Sequence, residues 1–255
     1  HAEWTIQALA AGLPVLCEKP FTVNAGEAEE VAAASVRTGL PVAEAFMYRF
    51  HPQYEVLWKL LADGAIGDLV SMHSIFSHVL DDPGIVQANP DLGGGVLMDL
   101  GAYCVNVARL VAREEPTWVS GTANRDAIDQ SFWGTLGFPG GFVATFEASF
   151  EAHDREWVEI AGTQGRIALP SPWLGGPKGG EIMLHRDDKL EAISTPGGDP
   201  YGLEALDFAN ALRTGQPPSY PVEDAIANMR TIDNLYESEA AKGRRVPTPK
   251  PNSAR

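Results

Sequence analysis

A chain of 255 residues, 44% apolar and 21% charged, has room for one large domain or two modest ones around a real core. With 34 Asp and Glu against 19 Lys and Arg, its net charge of -15 argues against a nucleic-acid partner. No apolar run approaches the ~20 residues of a membrane crossing and no signal peptide is visible; Cys17 and Cys104, each in an apolar stretch, argue against a disulfide framework and fit a reducing cytoplasm.

The first 47 residues alternate helix and strand. A helix is predicted from His1 to Ala11, stopped by Gly12, and Val15-Leu16-Cys17 is a short buried strand. Asn24 followed by Glu27 is a capping-box start for a helix to Thr38, ended by Gly39, and Pro41 to Phe46 is a second apolar strand. Such alternation with tight connections signals a parallel sheet, although two strands and two helices cannot cover one on both faces.

From His51 the pattern changes. A helix over Gln53 to Asp63 leads to a strand from Leu69 to Leu80, a turn-rich stretch from Asp81 to Gly94, and a helix from Val96 to Val111. Strands follow at Trp118–Thr122, Ser131–Phe138, Phe142–Phe150, Trp157–Ala161 and Arg166–Leu169, with a Gly140-Gly141 hairpin between two of them. Weaker strands at Ile182–His185 and Ala192–Ser194 precede helices at Leu203–Thr214 and Val222–Lys242. The proline-rich tail from Arg244 reads as disordered. The fold class is therefore α/β: part of a parallel-sheet unit, then an α+β unit on a mainly antiparallel sheet.

Two motifs carry chemistry. Glu18-Lys19-Pro20 ends the first strand; Lys19 is either a surface lysine before a turn or a group at the carboxyl edge, where open parallel sheets bind ligands. Gly93-Gly94-Gly95 opens the helix that carries Asp99, Tyr103 and Asn106. Helical spacing puts those three opposite Leu97, Leu100, Cys104, Val107, Ala108 and Val111. Asp99 is the sole charge between Leu92 and Val107, so this polar face reads as a cleft wall rather than a solvated side. Met47, Arg49 and His51 follow the second strand edge and either line the same cleft or pack a domain junction. The remaining histidines show no metal-ligand spacing.

Glu18-Lys19-Pro20, the Gly93–Tyr103 block and Gly162-Thr163-Gln164-Gly165-Arg166-Ile167, in that order, resemble the glucose–fructose oxidoreductase / inositol dehydrogenase (Gfo/Idh/MocA) family. The tyrosine at 103, with Ala45-Phe46-Met47-Tyr48-Arg49-Phe50-His51-Pro52, is most similar to the branch of dihydrodiol dehydrogenase, D-xylose dehydrogenase and glucose–fructose oxidoreductase. The resemblance implies an oxidoreductase using NAD or NADP, with residues 1–47 the later portion of a Rossmann domain and 48–243 a substrate-binding and oligomerisation domain. It implies that Lys19 contacts cofactor and substrate, with Glu18, Pro20 and Arg49 beside the cofactor, and that Lys19-Pro20 is a cis peptide. Asp99, Asn106, Arg49, Met47 and His51 are the expected substrate-binding residues. The family's G-x-G-x-x-G turn has no match here; either an N-terminal segment precedes His1, the expected reason, or this is a naturally truncated member.

The expected reaction is hydride transfer between nicotinamide and a hydroxyl of a sugar or cyclic diol, with Tyr103 exchanging the hydroxyl proton. A phenol of pKa ~10 is a poor base at neutral pH, and a cationic Lys19 close by is expected to lower it. A non-catalytic sugar- or cofactor-binding relative and a redox-neutral glycosidase remain open alternatives. An open sheet face predicts a homodimer or homotetramer.

Overall fold

The computed structural model describes residues 1–82 and 84–248. α1 (Ala2–Ala10) stops before Gly12, whose φ of 85° no L side chain adopts easily. β1 (Val15–Glu18), α2 (Ala25–Thr38) and β2 (Val42–Ala45) follow as a parallel crossover, with Val15 opposite Val42 and Glu18 opposite Ala45. The cap of α2 forms as its sequence dictates: Asn24 Oδ1 accepts from the Glu27 amide at 2.9 Å, and Gly39 closes the helix at φ 67°. Both strands therefore end on one edge. There, Lys19–Pro20 is cis, and a 3₁₀ turn (Met47–Phe50) leads away from β2.

The rest of the chain builds a nine-stranded sheet. It comprises β3 (Leu69–Ser77), β4 (Trp118–Arg125), β5 (Asp129–Gly137), β6 (Val143–Ser149), β7 (Arg155–Gly162), β8 (Gly165–Leu169), β9 (Gly180–Arg186), β10 (Lys189–Thr195) and β11 (Val246–Pro247). The spatial order is β10-β9-β8-β7-β3-β6-β5-β4-β11, and only the β3–β6 pair is parallel. α3 (Gln53–Ala62) lies near β9; α4 (Ala102–Ala112) packs on β3 and β6, and α6 (Val222–Ala240) on β4. α6 also reaches the two-stranded sheet, where the Ala25 amide donates to Asp233 Oδ2 at 2.8 Å. The opposite sheet face stays open, with Trp133 45% exposed and its strand partner Thr122 beside it in solvent.

Three expectations are corrected. The tail from Arg244 is ordered as far as Thr248, because Val246 pairs with Val119 and the Thr248 amide donates to Thr117 O at 3.0 Å; the prolines at 249 and 251 lie outside the described residues. The predicted helix from Val96 begins with a π-turn over Leu97–Gly101 and becomes α-helical only at Ala102. Finally, the stretch Pro90–Ala112 is long and apolar enough to cross a membrane, but most of it is buried inside the protein as its central core helix. Its charges, Asp91, Asp99 and Arg109, are spaced widely enough to hide that length from a search for unbroken apolar runs.

Candidate active site

The carboxyl edge of the β1–β2 pair opens onto a cleft of about 600 Å³, walled by Glu18, Lys19, Pro20, Thr22, Val23, Gly93–Gly95, Met98 and Asp99. Glycine is required along this wall. Gly93 has φ 74° and a Cβ on it would stand 2.8 Å from Val23 Cγ1, while a Cβ on Gly95 would stand 2.2 Å from Asp129 Oδ1. Asp129 is buried and accepts from the Leu97 amide (2.8 Å) and the Tyr236 hydroxyl (3.1 Å), so it anchors the start of the π-turn. Nothing near Asp129 in sequence announces this role.

Lys19 crosses the cleft wall to the π-turn. Its Nζ stands 2.5 Å from Asp99 Oδ1, 3.3 Å from Asp99 O and 4.9 Å from the centre of the Tyr103 ring. The ammonium thus sits on the ring face, where a cation is attracted, rather than at the phenol oxygen. Glu18 accepts from the Lys19 amide at 3.1 Å. The Tyr103 hydroxyl points to Met47 Sδ at 3.7 Å, and Phe46, Phe76, Trp173 and Tyr48 surround its ring at 5.1–5.6 Å between ring centres. Lys19, Asp99, Tyr103, Met47, Glu18 and Pro20 are therefore brought together.

This arrangement corrects the electrostatic expectation. Burial pushes the Tyr103 phenol well above its ordinary range, and Tyr201, Asp99, Glu18 and Glu204 push it further. Lys19 spends its charge on Asp99 and does not reverse that balance, so the phenol is neutral at pH 7.

Three expected site residues lie elsewhere. Asn106 is 0% exposed and accepts from the Tyr48 hydroxyl at 2.6 Å, so it packs beneath the aromatic cluster and not on the cleft wall. Arg49 is buried in a clamp. Its guanidinium donates to Asp224 Oδ2 (2.6 Å) and to Glu44 O (3.0 Å), and lies 3.8 Å from the centre of the Tyr220 ring. Asp224 also pairs with Arg109 at 3.0 Å, and the two arginines hold its carboxyl below the usual range against the opposing effect of burial. His51 is equally buried; its Nδ1 accepts from the Gln53 amide at 3.2 Å and Nε2 lies 3.2 Å from Gly176 O, fixing a glycine loop. Besides Asp129, two further buried carboxyls were not foreseen: Glu44 on β2, and Glu204 on α5 (Pro200–Thr214), which burial raises to about 7.

Residues 1–46 match the oxidoreductase family with an NAD-binding Rossmann fold, and residues 54–168 match the GFO/IDH/MocA C-terminal domain. A D-xylose 1-dehydrogenase (NADP(+)) from Haloferax volcanii is 36% identical over 242 residues, spanning 93% of this chain and 74% of that protein. The chain belongs to the GFO/IDH/MocA oxidoreductase family. Its cofactor is accordingly NAD or NADP, and it is an NAD(P)-dependent dehydrogenase. This GFO/IDH/MocA oxidoreductase is also similar to a trans-1,2-dihydrobenzene-1,2-diol dehydrogenase from Macaca fuscata fuscata, 34% identical over 98% of this chain and 76% of that protein. Among solved structures, a 3-ketoreductase from Actinomadura kijaniata with NADP and TDP-benzene superposes with a TM-score of 0.86 at 27% identity, over 93% of this chain and 74% of that one. An aldose-aldose oxidoreductase from Caulobacter crescentus shares the fold, with a TM-score of 0.90 at 23% identity over 97% of this chain and 76% of that one.

Proposed function

We propose that this oxidoreductase interconverts a ring hydroxyl and a carbonyl on a sugar, most simply an aldopyranose at C1, with cyclic diols as the competing substrate class. The observation that carries the reading is the convergence of Lys19, Asp99 and Tyr103 at the carboxyl edge of the parallel strands. Glu18, Lys19, Pro20 and the Gly93–Gly95 wall fit the nicotinamide end of the cofactor, since the glycines keep that wall clear of side chains. When bound, the nicotinamide supplies or takes up the hydride.

Tyr103 exchanges the proton. Because its phenol is neutral, it is ready to donate to a carbonyl oxygen as that oxygen gains charge. In the oxidising direction it must first lose its proton to solvent through the cleft, and Lys19, turned from Asp99 toward the phenol oxygen, stabilises the phenolate that then takes the substrate hydroxyl's proton. Asp99 parks the ammonium between turnovers and, once released, accepts from a substrate hydroxyl. Met47 and the surrounding rings give this proton exchange a dry environment, which strengthens every charge effect in it. Residues 1–47 serve the cofactor, and 48–243 serve substrate and assembly. The open face of the nine-stranded sheet, with Trp133 exposed, is covered by a second copy in a homodimer or homotetramer. A stable monomer by light scattering would exclude that assembly.

The test is Tyr103→Phe in the complete enzyme, assayed with NAD and NADP on D-xylose and on a trans-dihydrodiol. Loss of about 10²–10⁴-fold in kcat with an unchanged melting curve is expected. Near-normal turnover overturns the assignment of Tyr103, and turnover of the diol alone moves the substrate to that class.

A further inference from the structure

Glu44 is the one charged residue of its strand and is 3% exposed. It lies opposite Cys17 in the strand register. Its Oε1 accepts from the Phe21 amide at 2.9 Å, and its own carbonyl accepts from Arg49 Nη2 at 3.0 Å. Phe21 is fully buried and stands two residues after Lys19, so Glu44 grips the far end of the turn that carries the ammonium. Its second carboxyl oxygen, Oε2, is buried without a partner, as is Arg49 Nε. Arg49 therefore gives Glu44 no direct ion pair; it is committed to Asp224, which Arg109 also holds.

We propose that Glu44 is a positioning residue for the reaction: its buried carboxyl holds the end of the Lys19–Phe21 turn to a strand that Arg49 fixes through the Glu44 carbonyl, and so sets where the Lys19 ammonium stands. This rests on the role given to Lys19 above. The charged and titratable groups around Glu44 are Cys17 from β1, Arg49 from the 3₁₀ turn, Arg109 from α4 and Asp224 from α6. Burial raises the acid to about 8, Asp224 adds to the rise, and the two arginines oppose it. Glu44 thus carries its proton at neutral pH, where glutamine is its isostere, and ionises in the mildly alkaline range.

Two measurements on the ligand-free protein test this without relying on turnover: hydrogen exchange at the Phe21 amide, and the labelling rate of the Lys19 amine by acetic anhydride. Glu44→Ala is expected to speed both about tenfold, the effect of losing one buried hydrogen bond. Glu44→Gln is expected to stay within about twofold of the parent at pH 7, since its amide oxygen still accepts from Phe21. Between pH 7 and 9 the parent's Phe21 exchange, corrected for the intrinsic rate, changes while that of Glu44→Gln does not. In the complete enzyme, Glu44→Ala lowers kcat more than it raises KM, and Glu44→Gln restores it. A folded Glu44→Ala with unchanged exchange and labelling overturns the proposal, as does a Glu44→Gln as disturbed as the alanine variant. If alanine does not fold, matching pH profiles for parent and Glu44→Gln overturn it. Normal turnover in Lys19→Ala would instead refute the role of Lys19, leaving the exchange and labelling results to stand on their own.

Discussion

Two ion pairs lie on either side of the same strand edge, and they are built differently. Lys19 meets one residue, Asp99, at its carboxylate and carbonyl on a cleft wall, on a flexible stem, with an aromatic face beneath it. Arg49 and Arg109 meet Asp224 from two elements, and both guanidinium groups make further contacts: Arg49 with a carbonyl and the Tyr220 ring, Arg109 with Glu115 and Asn228. A point charge with one partner can be drawn away by a ligand at modest cost. A planar fork with several partners cannot. The first pair can open to a ligand; the second holds the 3₁₀ turn, α4 and α6 in one place.

Breaking the second pair gives the largest expected effect. Arg49→Ala leaves Asp224 with one cation in a buried setting and is expected to cost about 3–5 kcal/mol of stability, seen as a shifted denaturation midpoint with the slope unchanged. Lys19→Ala is the opposite case. Stability is expected to fall by less than in Arg49→Ala, because Asp99 lines the cleft and water there reaches the carboxylate left behind, while kcat falls by about 10²–10³-fold. A Lys19→Ala protein as unstable as Arg49→Ala erases the distinction. Asp99→Asn sharpens it: the carboxylate that parks the ammonium is gone, the Tyr103 phenol shifts down, and the pH profile of oxidation moves to lower pH by about one unit or less. An unmoved profile means that Asp99 does not oppose the phenolate.

The smallest effect concerns Glu204. Its folded value, about 7, exceeds the unfolded one of 4.5, so the folded state retains a proton the unfolded chain loses. The stability linked to that proton is complete below pH 4.5 and is lost as pH rises through about 7. Glu204→Gln removes this loss, so its melting temperature is expected to fall less than the parent's between pH 5 and 8. Parallel curves for the two proteins would show that Glu204 has no part in it.

The order and type of most elements were legible in the sequence, because caps, alternation and glycine stops are local signals: the Asn24–Glu27 cap is an example. That Lys19, Asp99 and Tyr103 meet was legible for a related reason: Lys19 ends a short apolar strand and Asp99 and Tyr103 stand one helical turn apart. Arg49 and His51 were misplaced because what captures them lies far along the chain, at Asp224 and Gly176, and no local spacing records that. Asn106 was misplaced because its partner, the Tyr48 hydroxyl, lies far back along the chain and nothing in the helix records it. Glu44 did leave a signal, a lone carboxylate inside Val42-Ala43-Glu44-Ala45, which is the pattern of a buried acid rather than a solvated one.

The two ends of the nine-stranded sheet carry one further consequence. At one end β11 contributes only Val246 and Pro247, and a proline offers no amide to an incoming strand. At the other, β10 presents Lys189 and Glu191 along an exposed edge. A sheet this wide would otherwise be a template for fibril growth by strand addition. Its ends are blunted, one by proline and one by charge, so that copies of the protein meeting in a crowded solution are kept from stacking edge to edge.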